Sequence, residues 1–152
     1  MRIIFATGNK DKMKEIRAIL ADLGMEILSM KEAGLASDIV EDGATFEENA
    51  EIKARAVAGL CRDIVLADDS GLEIDALGGE PGIYSARYMG EDTSYRVKNM
   101  NLIDRLAGVP DERRTARFVC AIAAVFPNGS CEVVRGTIEG RIGYEERGSN
   151  GF

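Results

Sequence analysis

The N-terminal segment constrains the fold most, because an apolar run stops at a small polar turn and continues at once as a helix. Residues 2–6 (RIIFA) have the composition of a buried strand. After the turn at residues 7–9 (TGN), apolar residues recur at helical spacing at Met13, Ile16, Ile19, Leu20 and Leu23. Gly24 follows them and is placed to end the helix. The sequence therefore predicts a strand, a tight turn and a helix.

Helix-like and strand-like segments continue to alternate after this opening unit. Residues 25–30 (MEILSM) read as a second strand, and residues 45–48 (TFEE) match the capping box of a helix that should reach about Cys61. Residues 64–67 (IVLA) and 72–77 (LEIDAL) read as strand segments on either side of residues 68–71 (DDSG). The carboxylates of DDSG are therefore expected at a strand break.

The second half of the sequence indicates a helix followed by a hairpin. A third helix is predicted over residues 93–107, with an inward face of Tyr95, Leu102, Ile103 and Leu106. Residues 115–126 and 131–140, joined across PNGS, form an antiparallel hairpin whose first arm is apolar enough to be covered on both faces. Strands that alternate with helices before a hairpin predict an α/β domain built on a mixed β-sheet.

Length and charge restrict the class of protein. A chain of 152 residues that is 45% hydrophobic can bury one substantial core, so residues 1–152 are interpreted as a single domain. The net charge of -7 argues against binding along nucleic acid, which requires a basic face. No apolar run approaches the roughly 20 residues that span a bilayer, and no signal-peptide pattern begins the sequence, so we expect a cytoplasmic protein without membrane contact.

The cysteine and histidine content excludes several chemistries. Cys61, Cys120 and Cys131 lack metal-binding spacing, and their odd number fits small core residues in a reducing compartment, with no disulfide expected. The sequence contains no histidine, which excludes a histidine-based catalytic triad and a histidine-ligated zinc site. Any catalysis must use carboxylates, lysines, hydroxyls, backbone groups or a hard metal ion.

The turn at Thr7, Gly8 and Asn9 is a candidate anion site. It lies where a strand delivers the chain to a helix N-terminus, whose unpaired N–H groups and dipole favour negative charge. Lys10 and Lys12 add positive charge, and Gly8 permits close approach to the backbone. The alternative is an ordinary Asn-containing turn that caps a helix beside solvated lysines, and the Walker P-loop spacing is absent.

Asp68 and Asp69 are candidate metal ligands, because adjacent carboxylates after a buried strand repel each other unless they share a cation. At the C-terminal edge of a sheet they could hold Mg²⁺ together with substrate phosphates. The alternative is a turn in which the aspartates accept backbone hydrogen bonds and Gly71 supplies a positive φ. Glu41 and Asp42 could add a further ligand, although alone they look like any acidic loop.

Lys53 lies on the inward stripe of the predicted second helix, with Phe46, Ala50, Ala54 and Val57. A lysine on such a stripe either extends to solvent or meets a buried anion. Asn49 lies on the edge of the same stripe. Together they suggest the polar wall of a cleft, although an extended lysine is the commoner explanation.

Four segments carry a resemblance to a known family: ATGNKDKMKEI, VEDGATFEENAEIKARA, LADDSGLEIDALGGEPGIYSARYMG and GSNGF. In these segments the chain resembles the inosine triphosphate pyrophosphatase family, the Ham1-like non-canonical purine nucleoside triphosphatases. The resemblance implies an elongated mixed β-sheet flanked by helices, with two lobes around a central cleft, and a homodimer. It also implies hydrolysis of inosine, deoxyinosine or xanthosine triphosphate to the monophosphate and pyrophosphate, with Mg²⁺ as cofactor.

The resemblance also assigns roles to individual residues. It implies that the triphosphate contacts Thr7, Gly8, Asn9, Lys10, Asp11, Lys12, Lys53 and Ser70, and that Mg²⁺ is held by Glu41, Asp69 and Asp68. Asp69 matches the position of the proton acceptor that prepares water for attack. Family members continue after Asn-Gly-Phe with a Gly-Tyr-Asp-Pro segment, a lysine and a Ser-His-Arg motif that help to recognise the purine. Only Phe152 of that region is present here, and it is counted as substrate-binding.

We therefore expect this chain to lack the family's C-terminal segment. Because base selectivity depends on groups that contact the purine edge, the lack of this segment affects the expected selectivity for the base. The alternative function is a nucleotide-binding module that is inactive without this segment. A third reading, an aspartate-nucleophile phosphatase, is disfavoured because residues 68–70 (DDS) lack the Asp-x-Asp spacing of nucleophile and acid.

Overall fold

The structure, a computed structural model, describes residues 1–149 and 151–152, and Asn150 of the closing GSNGF segment lies outside the described residues. The helices and strands, in chain order, are β1 (Arg2–Phe5), α1 (Lys10–Ile19), β2 (Glu26–Ser29), α2 (Phe46–Ala58), β3 (Ile64–Ile74), α3 (Tyr95–Arg105), β4 (Thr115–Val125) and β5 (Cys131–Arg141). Short 3₁₀ helices cover Ala21–Leu23, Asp75–Leu77, Gly82–Arg87 and Asp111–Arg113.

In the described part of the chain the strands form a five-stranded sheet in the order β2-β1-β3-β4-β5. β1 pairs in parallel with both β2 and β3. β4 and β5 form a hairpin, bounded by hydrogen bonds from Phe126 N to Ser130 O and from Ile142 N to Arg114 O, both 2.9 Å long. The prediction of a mixed β-sheet flanked by helices is confirmed, whereas the expected lobes around a central cleft stay a prediction.

The chain divides into two compact units, and each has its own apolar core. The first unit comprises Met1–Asp69 and Ala121–Arg135, and its buried apolar residues include Ile3, Phe5, Met13, Ile16 and Ile27. The second comprises Ser70–Cys120 and Gly136–Phe152, and its core contains Leu72, Ile74, Leu102, Leu106 and Ala116. In both cores the apolar face of a helix packs with apolar strand residues, as the helical and strand-like spacings of these residues predict.

Helix α2 begins as the capping box predicts. The Thr45 hydroxyl accepts a hydrogen bond from Glu48 N at 3.1 Å, and the Glu48 carboxylate accepts one from Ala44 N at 2.6 Å. These bonds satisfy N–H groups that have no partner within the helix. The helix then buries one stripe, formed by Phe46, Asn49, Ala50, Ala54 and Val57.

The predicted strand break at residues 68–71 is wrong, because β3 runs without interruption from Ile64 to Ile74. Gly71 is not among the described residues with positive φ, so the alternative of a turn is also wrong. The carboxylates therefore lie within a strand and not at its C-terminal end. An aspartate is tolerated there because the buried Asp68 carboxylate is neutralised by the Lys12 ammonium at 2.7 Å.

Other differences concern exposure. Ile19 and Tyr95, which the helical spacing groups with apolar residues of their helices, are 73% and 45% exposed. Phe118 and Cys120 of β4 are exposed as well, so the prediction that this strand is covered on both faces is wrong. All three cysteines are free and none is buried, so they are not core residues. No helix among the described residues is both long and apolar enough to cross a membrane.

Candidate functional site

A group of lysines and carboxylates comes together within the first unit. Lys12 Nζ of α1 lies 2.7 Å from Asp68 Oδ2 of β3. Lys53 Nζ of α2 donates to the Asp68 backbone carbonyl at 2.9 Å and lies 2.6 Å from Glu41 Oε1. With the adjacent Asp69, these residues (Lys12, Glu41, Lys53, Asp68 and Asp69) form what we call the carboxylate–lysine cluster.

The inward stripe of α2 explains how Lys53 reaches this cluster. The lysine side chain is only 20% exposed, and its ammonium meets a carboxylate and a carbonyl instead of solvent. The lysine does not extend into solvent, and the anion that it meets, Glu41, is only partly buried, with 30% of its side chain exposed. Its contact with Glu41 Oε1 is an ion pair by distance but lacks the angles of a hydrogen bond. The attraction between the two charges remains, because Coulomb energy depends on the distance between them and only weakly on angle.

The carboxyl group of Asp69 is perturbed by its surroundings. Its pKa is raised above the ordinary aspartate value, mainly because burial disfavours the charged form. A hydrogen bond from the Asn49 side chain and the charge of Lys53 lower the pKa, whereas the charges of Glu41 and Asp68 raise it further. The Oδ2 atom of Asp69 is buried and accepts no hydrogen bond from any described residue. A group that binds protons more readily than usual can serve as a base.

The turn at residues 7–9 caps helix α1. Asn9 Oδ1 accepts hydrogen bonds from Asp11 N at 2.8 Å and Lys12 N at 3.2 Å, and Thr7 Oγ1 accepts one from Asn9 N at 3.1 Å. The cap by Asn9 is thus confirmed, and the N–H groups of residues 11 and 12 already have an acceptor. The solvated lysines of that interpretation are wrong for Lys12, whose ammonium pairs with Asp68. An atom added at the Cβ position of Gly8 would meet nothing within 4 Å, which leaves room beside this turn. Triphosphate contact by residues 7–12 stays a prediction.

The two other predicted substrate contacts belong to the second unit. Ser70 follows Asp69 along β3, and Phe152 packs edge-on against the Tyr95 ring at a centroid distance of 5.1 Å. Phe152 also contacts the core of that unit. The structure therefore gives Phe152 a packing role, and the roles of both residues in substrate binding stay predictions.

Two buried cations of the second unit were not found by sequence reasoning. Arg114 donates to the carbonyls of Leu106, Ile142 and Gly143 at 2.9, 2.9 and 2.8 Å. Lys98 donates to Ala86 O at 3.0 Å, and its ammonium lies 5.0 Å from the centroid of the Tyr95 ring. Lys98 precedes Leu102 by one helical turn, so the periodicity that singled out Lys53 could have found it. Arg114 leaves no such signal, because its partners are backbone groups.

The carboxylates do not by themselves form a complete metal cage. Among residues 1–149 and 151–152, no group of three or more histidine, cysteine, aspartate or glutamate side chains is arranged to hold a metal ion. Partly buried lysines beside carboxylates on an α/β sheet are instead typical of a class of protein that binds an anionic ligand.

Comparison with known proteins agrees with this class. The model of the Ham1 family matches residues 3–152, and the chain belongs to this family. A dITP/XTP pyrophosphatase of Exiguobacterium sibiricum is 50% identical over 152 residues, which cover 100% of this chain and 77% of the relative. A dITP/XTP pyrophosphatase of Bacillus subtilis is 47% identical over 149 residues, or 98% of this chain and 75% of the relative.

Solved structures show the same fold. The Ham1 protein of Staphylococcus aureus is 39% identical with a TM-score of 0.87, and the match covers 100% of this chain and 77% of that chain. A HAM1 protein of Coxiella burnetii is 38% identical with a TM-score of 0.89 and corresponding coverages of 100% and 78%.

Proposed function

We propose that this chain hydrolyses non-canonical purine nucleoside triphosphates (dITP, ITP and XTP) to the monophosphate and pyrophosphate. The observation that carries the proposal is Asp69, a carboxylate with a raised pKa near Lys53, whose Oδ2 atom accepts no hydrogen bond from a described residue. A base and fixed cations are what attack of water on a phosphorus atom requires. The names of the relatives, which are 50% and 47% identical, supply the substrate class.

Mg²⁺ is the proposed cofactor, with Glu41, Asp68 and Asp69 as candidate ligands. The residues fit this ion because Asp69 Oδ2 is a buried oxygen that accepts no hydrogen bond from residues 1–149 or 151–152, and two further carboxylates are close enough to influence the pKa of Asp69. The lack of a three-ligand group among the described residues is compatible with Mg²⁺, which commonly uses one or two carboxylates plus substrate phosphates. When bound, Mg²⁺ supplies positive charge that polarises the phosphate oxygens.

The remaining steps are performed by the chain's own residues. Asp69 accepts a proton from the attacking water, and its raised pKa favours that transfer. Lys12 and Lys53, which now pair with Asp68 and Glu41, neutralise phosphate oxygens of the substrate. Water forms a bond to the α-phosphorus, and the bond to the β-phosphate oxygen breaks, so pyrophosphate leaves as one unit.

The turn at residues 7–9 contributes to the same site in this proposal. For the N–H groups of Asp11 and Lys12 to bind phosphate, Asn9 must give up its cap, so a phosphate oxygen replaces Asn9 Oδ1 as their acceptor. Ser70 and Phe152 are proposed as further substrate contacts. We also propose that residues 1–152 act as one catalytic domain of a cytoplasmic homodimer without nucleic-acid partners, as the family resemblance and net charge indicate.

Product analysis tests the proposal. The protein is incubated with Mg²⁺ and either dITP or dATP, and pyrophosphate and inorganic phosphate are assayed separately. We expect pyrophosphate from dITP and little from dATP. Tight binding of dITP without product would identify the binding-only module, which nothing in the comparisons supports, and release of inorganic phosphate would identify a phosphatase.

A further inference from the structure

Two ion pairs join the cations of the carboxylate–lysine cluster to its anions. Lys53 Nζ lies 2.6 Å from Glu41 Oε1, and 20% and 30% of these side chains are exposed. Lys12 Nζ lies 2.7 Å from Asp68 Oδ2, and the Asp68 side chain is 6% exposed. In the proposed function the lysines receive phosphate oxygens, and the two carboxylates are candidate ligands of Mg²⁺. Each group needed for one ligand is therefore engaged by a group needed for the other.

The Lys53–Glu41 pair creates a competition at both of its ends. For Glu41 to bind a divalent cation, it must give up attraction to the Lys53 ammonium, and for Lys53 to bind a phosphate, it must give up attraction to Glu41. Either ligand alone leaves one partner as a charge without a counter-ion in a place partly removed from water, which is costly. When both ligands are present, each released group gains a new partner of opposite charge.

The loop that carries Glu41 is held beside α2 by a second contact, which does not involve this ion pair. Asn49 Oδ1, on a buried side chain of α2, accepts a hydrogen bond from Gly43 N at 2.8 Å. The approach is close, because a Cβ atom on Gly43 would lie 2.8 Å from Asn49 Oδ1 and 2.8 Å from Glu48 Cβ. Gly43 follows Glu41 by two residues, so this contact keeps the carboxylate near the cluster when Lys53 takes another partner.

A more exposed ion pair on the same helix serves as a comparison. Arg55 Nε lies 2.7 Å from Glu51 Oε1, but 50% and 40% of these side chains are exposed. Water screens this pair and solvates either partner when the other is removed. The Arg55–Glu51 pair is therefore the matched control for changes of charge at Lys53 and Glu41.

We propose that the ion pairs of the cluster make the binding of a divalent cation and the binding of the triphosphate mutually dependent. In the free protein, Lys53 and Lys12 compete with metal ions for the carboxylates, and Glu41 and Asp68 compete with phosphate for the lysines. The inference rests on the proposed function, which supplies the phosphate and metal roles of these residues. By thermodynamic linkage, the factor that one ligand adds to the affinity for the other is the same in both directions.

Removal of the lysine charge tests the metal side of the competition. The probe is Mn²⁺, which shares the preference for carboxylate oxygens, and electron paramagnetic resonance measures the free ion in the absence of nucleotide. We expect Lys53→Met to bind Mn²⁺ about tenfold more tightly than the unaltered protein does. Arg55→Met changes the net charge equally and should leave the affinity unchanged. The double variant Lys53→Met/Glu41→Gln should lose the gain, because the released carboxylate is gone.

Removal of the carboxylate charge tests the phosphate side. With a chelator present and no divalent metal, calorimetric titration measures dITP binding to the free protein. We expect Glu41→Gln to bind dITP about fivefold more tightly than the unaltered protein does, because Lys53 no longer has a competing anion. Glu51→Gln removes the same charge from the control pair and should bind dITP as the unaltered protein does.

A pair that only stabilises the fold would lower the Tm when broken and would produce neither gain in affinity. The inference is overturned if folded Lys53→Met binds Mn²⁺ no more tightly than Arg55→Met. It is also overturned if Glu41→Gln binds metal-free dITP no more tightly than Glu51→Gln. If Lys53→Met does not fold, Lys12→Met repeats the Mn²⁺ measurement at Asp68, on a different helix and with the same expected gain.

These measurements require no turnover, so the two proposals fail separately. If the unaltered protein releases no pyrophosphate from dITP but both gains in affinity are seen, hydrolysis fails and the mutual dependence stands. If the unaltered protein is active and the variants show neither gain, only the mutual dependence fails.

Discussion

The two units differ in how they hold charged groups that are partly or fully removed from solvent. In the second unit, Arg114 donates to three carbonyls and Lys98 to one, so the buried cations meet backbone acceptors. In the first unit, three carboxylates lie near two lysines, and the Oδ2 atom of Asp69 accepts no hydrogen bond from a described residue. The buried cations of the second unit have their hydrogen-bond partners within the fold. The carboxylates of the first unit retain capacity for a further partner.

We propose that the difference separates charged groups that support the fold from charged groups that support chemistry. Fully bonded buried groups rigidify their surroundings, and their loss is felt in stability. A carboxylate with a raised pKa, such as Asp69, costs stability in the free protein, and a bound ligand or cation can recover that cost. Substitutions in the first unit should therefore change turnover more than stability, and those in the second should do the reverse.

Asp69→Asn gives the largest effect that we expect. The carboxylate is lost with little change in volume, so kcat for dITP should fall by about 10²- to 10⁴-fold, which is the usual contribution of a general base. The Tm should stay the same or rise, because repulsion from Glu41 and Asp68 is relieved. Steady-state kinetics and a thermal melt check both parts. Undiminished turnover would remove Asp69 from the mechanism.

Arg114→Met should lower stability and leave turnover unchanged, the reverse of Asp69→Asn. The carbonyls of Leu106, Ile142 and Gly143 lose their donor inside the protein, so unfolding should become easier by about 3 kcal/mol. Urea denaturation measures the change, and kcat per folded molecule should be normal. Arg113→Met is the matched control, because the neighbouring arginine is exposed. Equal losses in both variants would contradict the structural role of Arg114.

Lys53→Met should weaken substrate binding by about tenfold, which corresponds to ~1.4 kcal/mol. The lysine is expected to exchange its contact with Glu41 for a phosphate oxygen. Calorimetric titration with dITP in an Asp69→Asn background avoids hydrolysis. Arg55→Met removes an exposed cation from the same helix and should bind dITP normally. If both variants bind equally well, Lys53 lies outside the phosphate site.

Asp75→Asn should have the smallest effect, confined to the second unit. Hydrogen bonds from Thr115 and Arg117 lower the pKa of Asp75 below its ordinary value of 3.8. A lowered pKa means that Asp75 contributes stability above the unfolded pKa and loses it as the pH falls through the folded pKa. The Tm difference from the unaltered protein should be visible at neutral pH and vanish in strong acid. A difference independent of pH would contradict this account.

Apolar and capping patterns predicted the helices and the mixed sheet because these features depend on local sequence. The same periodicity placed Lys53 in the site. The strand break at residues 68–71 was wrong because aspartate, serine and glycine disfavour strands locally, and partners such as Lys12, which is distant in sequence, reverse that preference. The sequence could not predict the Asn49–Gly43 contact or the carbonyl partners of Arg114. Backbone groups are the same in almost every residue, so the residue types do not indicate which of them form such contacts.

Gly43 and Gly8 differ in whether the fold tolerates their substitution during evolution. Every replacement of Gly43 places a Cβ atom against Asn49 and Glu48, so we expect every substitution at this position to disturb the fold. Gly8 has open space around its Cβ position, so alanine is compatible with the fold and only a ligand can select against it. A library scored for folding would accept changes at Gly8 that a library scored for turnover rejects, whereas both would reject changes at Gly43.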